Sequence, residues 1–164
     1  MAEQYHPVTQ KIVAILKEGG YWYETFEHEP VRTSEEAAQT RPGYTLQQGA
    51  KAIIARVKRS KNDKQFVMLV FPADRRFDNR AVKQFFQAKD VRFATEEEVA
   101  TLTGGVQVGG VPPFGNLFNL PVYVDPALFE QERIVFNAGD RRFSVAMRAE
   151  DYRAIVQPQV VALT

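Results

Sequence analysis

Six consecutive apolar residues, Phe66-Val67-Met68-Leu69-Val70-Phe71, constrain this chain more than any other segment. A run of that length without alternation is the pattern of a central strand buried on both faces. Just before it, Lys61-Asn62-Asp63-Lys64 reads as a hairpin turn. Ahead of the turn, Ala50 to Lys58 alternates weakly and puts Lys51, Ile53, Ala55 and Val57 on one strand face. The centre of the fold is therefore a hairpin that other elements must cover.

Those elements can be read from local signals. Val8, Ile12, Ile15 and Leu16 share one face of a helix that Gly19-Gly20 stops. Tyr21 to His28 reads as an aromatic strand with Tyr21, Tyr23 and Thr25 on one side, and Pro30 breaks it. Thr33 with Glu36 fits a capping box, predicting a short helix through Ala37-Ala38 that Arg41-Pro42-Gly43 ends. Asp78 can cap a helix carrying Val82, Phe85 and Phe86. A short strand at Val91-Arg92-Phe93 leads to a second capping box, Thr95 with Glu98, whose helix ends near Gly104.

Val106 to Gly115 carries too many glycines and prolines for regular structure and reads as a shaped loop. Val122-Tyr123-Val124 and Ile134-Val135-Phe136 read as strands, with a helical turn around Pro126 to Phe129 between them. Asn137-Ala138-Gly139-Asp140 then turns the chain into a strand at Phe143 to Met147. Glu150 to Val156 is a short helix, and Val160 to Leu163 an edge strand. Hairpin-like neighbours outnumber strict alternation of strand and helix. The expected fold is α+β, with a mostly antiparallel or mixed sheet curled into a barrel and helices outside. At 164 residues, a single domain over 1–164 is the expectation.

Composition removes several function classes. The chain has no cysteine, which excludes disulfides, thiolate metal sites and a thiol nucleophile. Only His6 and His28 offer imidazoles, so a three-histidine metal centre cannot form within one chain. No apolar run approaches the roughly 18 residues of a membrane span. Met1 to Pro7 lacks the basic and apolar regions of a secretory signal, so the expectation is cytoplasmic. Phosphate-binding Gly-Lys-Ser/Thr loops, a Gly-x-Ser-x-Gly elbow and a dinucleotide glycine fingerprint are all missing.

The net charge of +1 hides an uneven distribution. Residues 51–92 hold 12 Lys and Arg against 4 Asp and Glu, while both flanking segments are acidic. A basic middle of this kind can attract a polyanion such as nucleic acid, or it can be a set of solvated faces. Glu96-Glu97-Glu98 opens a helix and complements its dipole, the other reading being a metal role.

Two features stand out as candidates for chemistry. Lys51 lies on the apolar face of a strand, where a lysine either snorkels or sits in a pocket, ready to meet a phosphate or an oxyanion. Gly109 to Gly115 is the second. Its glycines let backbone N–H groups approach a ligand and its prolines stiffen the rest, although a tight connection between strands has the same composition. His28 can be structural or line a pocket. Tyr21, Trp22, Tyr23 and Phe26 can stack on bases or build core.

Four segments taken together resemble one family: His28 to Ala38, Gly49-Ala50-Lys51-Ala52, Gly109-Gly110-Val111-Pro112-Pro113-Phe114-Gly115, and Phe136-Asn137-Ala138-Gly139. Their order and spacing resemble the YbaK/EbsC family of aminoacyl-tRNA deacylases, related to the editing domain inserted in bacterial prolyl-tRNA synthetases. The resemblance runs from about residue 10 to residue 160. It implies a barrel-like mixed sheet flanked by helices. It also implies hydrolysis of the ester joining a wrong, small amino acid to the 3′ end of tRNA, without metal or cofactor.

The family lysine falls on Lys51, and the Gly-x-x-x-Pro loop on Gly109 to Pro113. The resemblance implies catalytic roles for Lys51, Gly109 and Gly110. It implies substrate contacts for His28, Thr33, Val111, Pro112, Pro113 and Phe114. The implied partners are the tRNA acceptor end and a synthetase, with the chain a monomer or homodimer and no membrane involved. Two positions depart from the pattern. Ala52 stands where alanine-specific editors usually have Asn, and Asp140-Arg141 where many members have Ser-His. Arg141 can instead meet a phosphate or be a solvated turn residue. A non-catalytic module that binds tRNA or a synthetase is the alternative reading.

Overall fold

The computed structural model describes residues 4–30 and 33–164; Val31 and Arg32 of the first matched segment, and Met1 to Glu3 of the N-terminal stretch, lie outside the described residues. Helix α1 (Pro7–Glu18) leads to β1 (Tyr23–Glu27), then α2 (Ser34–Gln39). The central hairpin is β2 (Ala50–Ser60) and β3 (Asp63–Pro72), turning at Lys61-Asn62. Next come α3 (Asn79–Phe86), β4 (Asp90–Phe93), α4 (Glu96–Thr103) and β5 (Val122–Val124). The chain closes with β6 (Arg133–Asp140), β7 (Phe143–Arg148), α5 (Ala149–Val156) and β8 (Gln159–Val160).

The strands make two sheets. One is five-stranded in the order β4-β2-β3-β5-β8, and the other is three-stranded in the order β1-β7-β6. In the first, β2 pairs antiparallel with both β3 and β4, whereas β5 runs parallel to β3 and to β8. The second is antiparallel throughout. The expected α+β class and mixed sheet flanked by helices are present, and barrel-like describes the open sheets only loosely. Strands β4 and β8 end the larger sheet and β1 and β6 the smaller, so neither is closed. A parallel bridge between Gly49 and Val135 connects the sheets.

The apolar run is buried on both faces, as its composition requires. Met68 and Val70 join the main core with Ile12, Leu16, Phe136 and Tyr152. Val67, Leu69 and Phe71 turn the other way and pack with Ala55, Val57, Val82 and Phe86 beneath α3. Each such side chain contributes roughly 1.5–3 kcal/mol by leaving water. The same double coverage explains the weak alternation of β2. Ala50 and Ile54 are buried on the face opposite Ala55 and Val57.

The local signals place the helices well. Thr33 accepts a hydrogen bond from the Glu36 N–H and caps α2, and Asp78 does the same for Ala81 at α3. Thr95 and Glu98 form the full capping box of α4, and Gly104 ends it in the left-handed region. One segment differs. Asn137 to Asp140 is not a turn; it extends β6, with a register shift between Asn137 and Asp140, and the turn is Arg141-Arg142. The cause is α1. The Thr9 hydroxyl donates to the Ala138 carbonyl at 2.6 Å, and a Cβ at Gly139 would lie 2.5 Å from Val8 Cγ1. A tertiary contact packs this irregular strand end against α1, and only a glycine fits beneath the helix.

Candidate active site

A cavity of about 620 Å³ opens where β2 begins. Its base is formed by Gly49 to Ile54. One wall is the end of α2 and the residues after it, including Arg41, Thr45 and Leu46. The facing wall is Val108, Gly109 and Val111, with Asn137 and Arg141 beside them. Phe93 and Ala94 line it from the end of β4.

Lys51 lines this cavity and is exposed, and its ammonium makes no hydrogen bond or ion pair to any described residue. Arg141 is half-buried. Its Nη2 donates to Gln107 Oε1 at 3.0 Å, while its Nε is buried with no acceptor. Thr33 is at the cavity as well as capping α2. Among the described lining residues, Glu35 is the one carboxylate against three cations, so this lining is electropositive.

The glycine loop is held rather than loose. The Gly110 N–H donates to Gln107 O at 2.9 Å and the Gly110 carbonyl accepts from Gly139 N–H at 2.8 Å. Asn137 Nδ2 donates to the Gly109 carbonyl at 2.7 Å. Gly109 has φ +91°, a conformation that favours glycine. These bonds leave the N–H groups of Gly109 and Val111 without an acceptor among the described residues. The Gly110 N–H, expected as the partner donor, gives its hydrogen bond to Gln107 O, and Gly110 is not among the lining residues.

Other expected contact residues lie elsewhere. Pro112, Pro113 and Phe114 are buried away from the cavity lining. Phe114 packs on Phe136 and Tyr152 with ring centroids 5.5 and 5.6 Å apart, and the Tyr152 hydroxyl donates to the Pro113 carbonyl at 2.6 Å. Burial pushes the Tyr152 phenol pKa up, keeping it a neutral donor. These residues form the foundation of the loop. His28 also lies outside the lining, with Nδ1 2.9 Å from the Glu29 carbonyl and Nε2 2.8 Å from Ser144 Oγ.

The residue missed by the sequence reading is Arg41, taken there only as a helix end. It is 6% exposed. Nε donates to Ser144 Oγ and Nη2 to Asn137 Oδ1, each at 3.0 Å. Burial pushes its pKa down to about 10, so it stays charged at neutral pH while bearing a desolvation cost. A signal was present: no Asp or Glu occurs between Glu36 and Asp63, so Arg41 has no local carboxylate to pair with. Its burial is a tertiary fact that no local pattern carries. Phe93 and Val108, 48% and 49% exposed at the cavity, were read only as a strand and a loop residue.

An open electropositive cavity with free amides, a lysine and exposed apolar surface suits an anionic ligand bearing a carbonyl and a flat ring. Comparison with known proteins agrees. The family model described as an aminoacyl-tRNA editing domain matches residues 28–155. The multifunctional Ser/Thr-tRNA deacylase ProXp-y of Escherichia coli (strain K12) is 35% identical over 153 residues, covering 93% of this chain and 90% of the relative. The proline–tRNA ligase of Sulfurihydrogenibium sp. (strain YO3AOP1) is 38% identical over 82 residues, half of this chain and 14% of the ligase. A crystal structure described as a candidate trans-editing enzyme for prolyl tRNA synthetase superposes with a TM-score of 0.78 at 26% identity, covering 97% of this chain and 98% of that one. The chain belongs to the aminoacyl-tRNA editing domain family.

Proposed function

We propose that this protein is an aminoacyl-tRNA deacylase that hydrolyses the ester of tRNA mischarged with a small amino acid, serine and threonine first among them. The observation that carries the reading is one cavity lined both by Lys51, whose ammonium has no described partner, and by Gly109 and Val111, whose N–H groups have no described acceptor. The 35% identical Ser/Thr-tRNA deacylase supports the choice of ester.

The chemistry needs no nucleophilic side chain. The 3′-terminal adenosine enters between β2 and the glycine loop. The Gly109 and Val111 amides hold the ester carbonyl oxygen, and Lys51 meets the developing oxyanion or a backbone phosphate. Water, oriented by the free ribose hydroxyl, attacks the carbonyl carbon. The tetrahedral intermediate collapses, the bond to the ribose oxygen breaks, and that oxygen takes the proton the water gave up. Phe93 and Val108 offer apolar surface on which the terminal base stacks. The basic segment 51–92 meets acceptor-stem phosphates. Walls of fixed size reject large side chains by overlap.

A prolyl-tRNA synthetase is the proposed partner in supply of mischarged tRNA. The domain-sized match to a proline–tRNA ligase and the likeness to a trans-editing structure support it. The test is deacylation of seryl-, threonyl-, alanyl- and cysteinyl-tRNA by wild type and Lys51→Ala. Wild type is expected to clear the seryl and threonyl esters. Lys51→Ala should lose about 100-fold or more in rate, with a melting temperature within a few degrees of wild type because Lys51 is exposed and unpaired. A folded wild type that binds tRNA but turns over none of the four would instead identify a non-catalytic binding module.

A further inference from the structure

We propose that Arg41 receives a phosphate oxygen of the 3′-terminal nucleotide, which makes it a substrate-binding residue of this cavity; the inference rests on the deacylase reading above. Arg41 is anchored on one edge only. Its Nε and Nη2 each give one hydrogen bond, to the neutral oxygens of Ser144 and Asn137. No described carboxylate pairs with it. Nη1 has no acceptor among the described residues and lies 4.0 Å from where a Cβ would stand at Gly49, and both residues line the cavity.

A nearly dry guanidinium without a counter-ion is costly to keep unless something negative arrives to pair with it. Its neutral anchors fix the planar fork without satisfying its charge. The fork matches phosphate oxygens in geometry as well as charge.

The chemistry of the substrate then decides which end reaches it. An aminoacyl ester has no free carboxylate, and its α-ammonium group would be repelled by Arg41. The persistent negative charge near the scissile bond is the phosphate of the terminal nucleotide. An oxyanion exists only at the transition state and leaves the cation unpaired in every ground-state complex. With the phosphate on Arg41, Lys51 is left for the carbonyl side of the cavity.

The assignment is tested with a probe that cannot turn over: the seryl amide of 3′-amino-3′-deoxyadenosine, with and without a 5′-phosphate. Calorimetry on wild type should show the phosphorylated probe binding about 10- to 100-fold tighter, the range of one or two charge-assisted hydrogen bonds. Arg41→Gln should abolish that advantage, and Arg41→Lys, which keeps charge but not the fork, should retain part of it. An advantage that survives undiminished in Arg41→Gln overturns the proposal. So does equal binding of the two probes by wild type. If Arg41→Gln fails to fold, Arg41→Lys decides alone, a reduced advantage supporting the assignment and an unchanged one overturning it.

With seryl-tRNA as substrate, Arg41→Lys should raise KM and leave kcat within about threefold. A fall in kcat at constant KM would move Arg41 to the oxyanion and overturn the phosphate assignment. Binding and turnover separate the two readings. A phosphate advantage without hydrolysis by wild type would sink the deacylase reading while supporting the Arg41 site. Hydrolysis without the advantage would do the reverse.

Discussion

Asn137 and Gly109 are joined by a 2.7 Å hydrogen bond from the side-chain amide of one to the backbone carbonyl of the other. The bond ties the glycine loop to β6 across 28 residues of sequence. Asn137 Oδ1 also accepts from Arg41 Nη2, so one side chain positions both walls of the cavity. Asn137→Ala should cost about 1–3 kcal/mol in stability, chiefly because the buried Arg41 guanidinium loses a partner. Deacylation should fall by more than the fraction unfolded explains. Thermal unfolding and kcat/KM measured on the same preparation check this, and an activity loss fully accounted for by unfolding would count against a positioning role.

Gly109 is expected to resist even the smallest substitution. Its φ of +91° is unfavourable for any residue with a Cβ, and that Cβ would lie 3.3 Å from Arg141 Cδ. Gly109→Ala should destabilise by about 1–2 kcal/mol and misplace the amide proposed to hold the ester carbonyl. The measurement is denaturant unfolding together with kcat on seryl-tRNA. Unchanged kcat in a folded variant would remove this amide from the chemistry.

Phe93 makes a different prediction, because it is 48% exposed, with its ring 5.2 Å from that of the partly buried Phe77. Phe93→Ala should change the melting temperature little. A lost base stack is worth about 1–3 kcal/mol, so KM for aminoacyl-tRNA should rise roughly 5- to 100-fold. Phe93→Tyr should behave as wild type. An unaltered KM in the alanine variant would show that the base rests elsewhere.

Glu98 links stability to pH away from the cavity. Its carboxylate takes 2.8 and 3.0 Å hydrogen bonds from Arg92 and caps the Thr95 N–H. The Arg92 guanidinium, helped by Thr95, holds its pKa down to about 2 from an ordinary 4.5. A depressed folded pKa means that the contribution is complete above pH 4.5 and is lost as pH falls toward 2. Glu98→Gln should therefore melt below wild type at pH 7, with the gap closing between pH 4.5 and 2. A gap that stays constant to pH 2 would show that the ion pair is not its source.

What was legible in the sequence follows from how local each cause is. The capping box of Thr95 and Glu98 is complete within four residues, and the hairpin turn within two, so both are visible in the order of amino acids. Phe66 to Phe71 announces a doubly covered strand because its own composition requires that burial. The extension of β6 through Asp140 was not legible, since it packs against α1 from more than a hundred residues away. How far the sheets curl was not legible for a similar reason, because strand order depends on which edges find partners. In the site, Lys51 and Gly109 were visible through residue type and the family pattern, and both line the cavity. Gly110 could not be judged without knowing where its N–H points. Arg41 stayed hidden because a charged residue before Pro-Gly looks like an ordinary exposed turn.

The bridge between Gly49 and Val135 lies two residues before Lys51. The floor of the cavity is thus a fixed junction, not a hinge, and the sheets cannot part there to admit a larger guest without breaking it. Discrimination between amino acids falls instead to the two walls, the stretch after α2 and the glycine loop. A cousin of this protein with different tastes could be made by recutting those walls alone, with the junction and its lysine left in place.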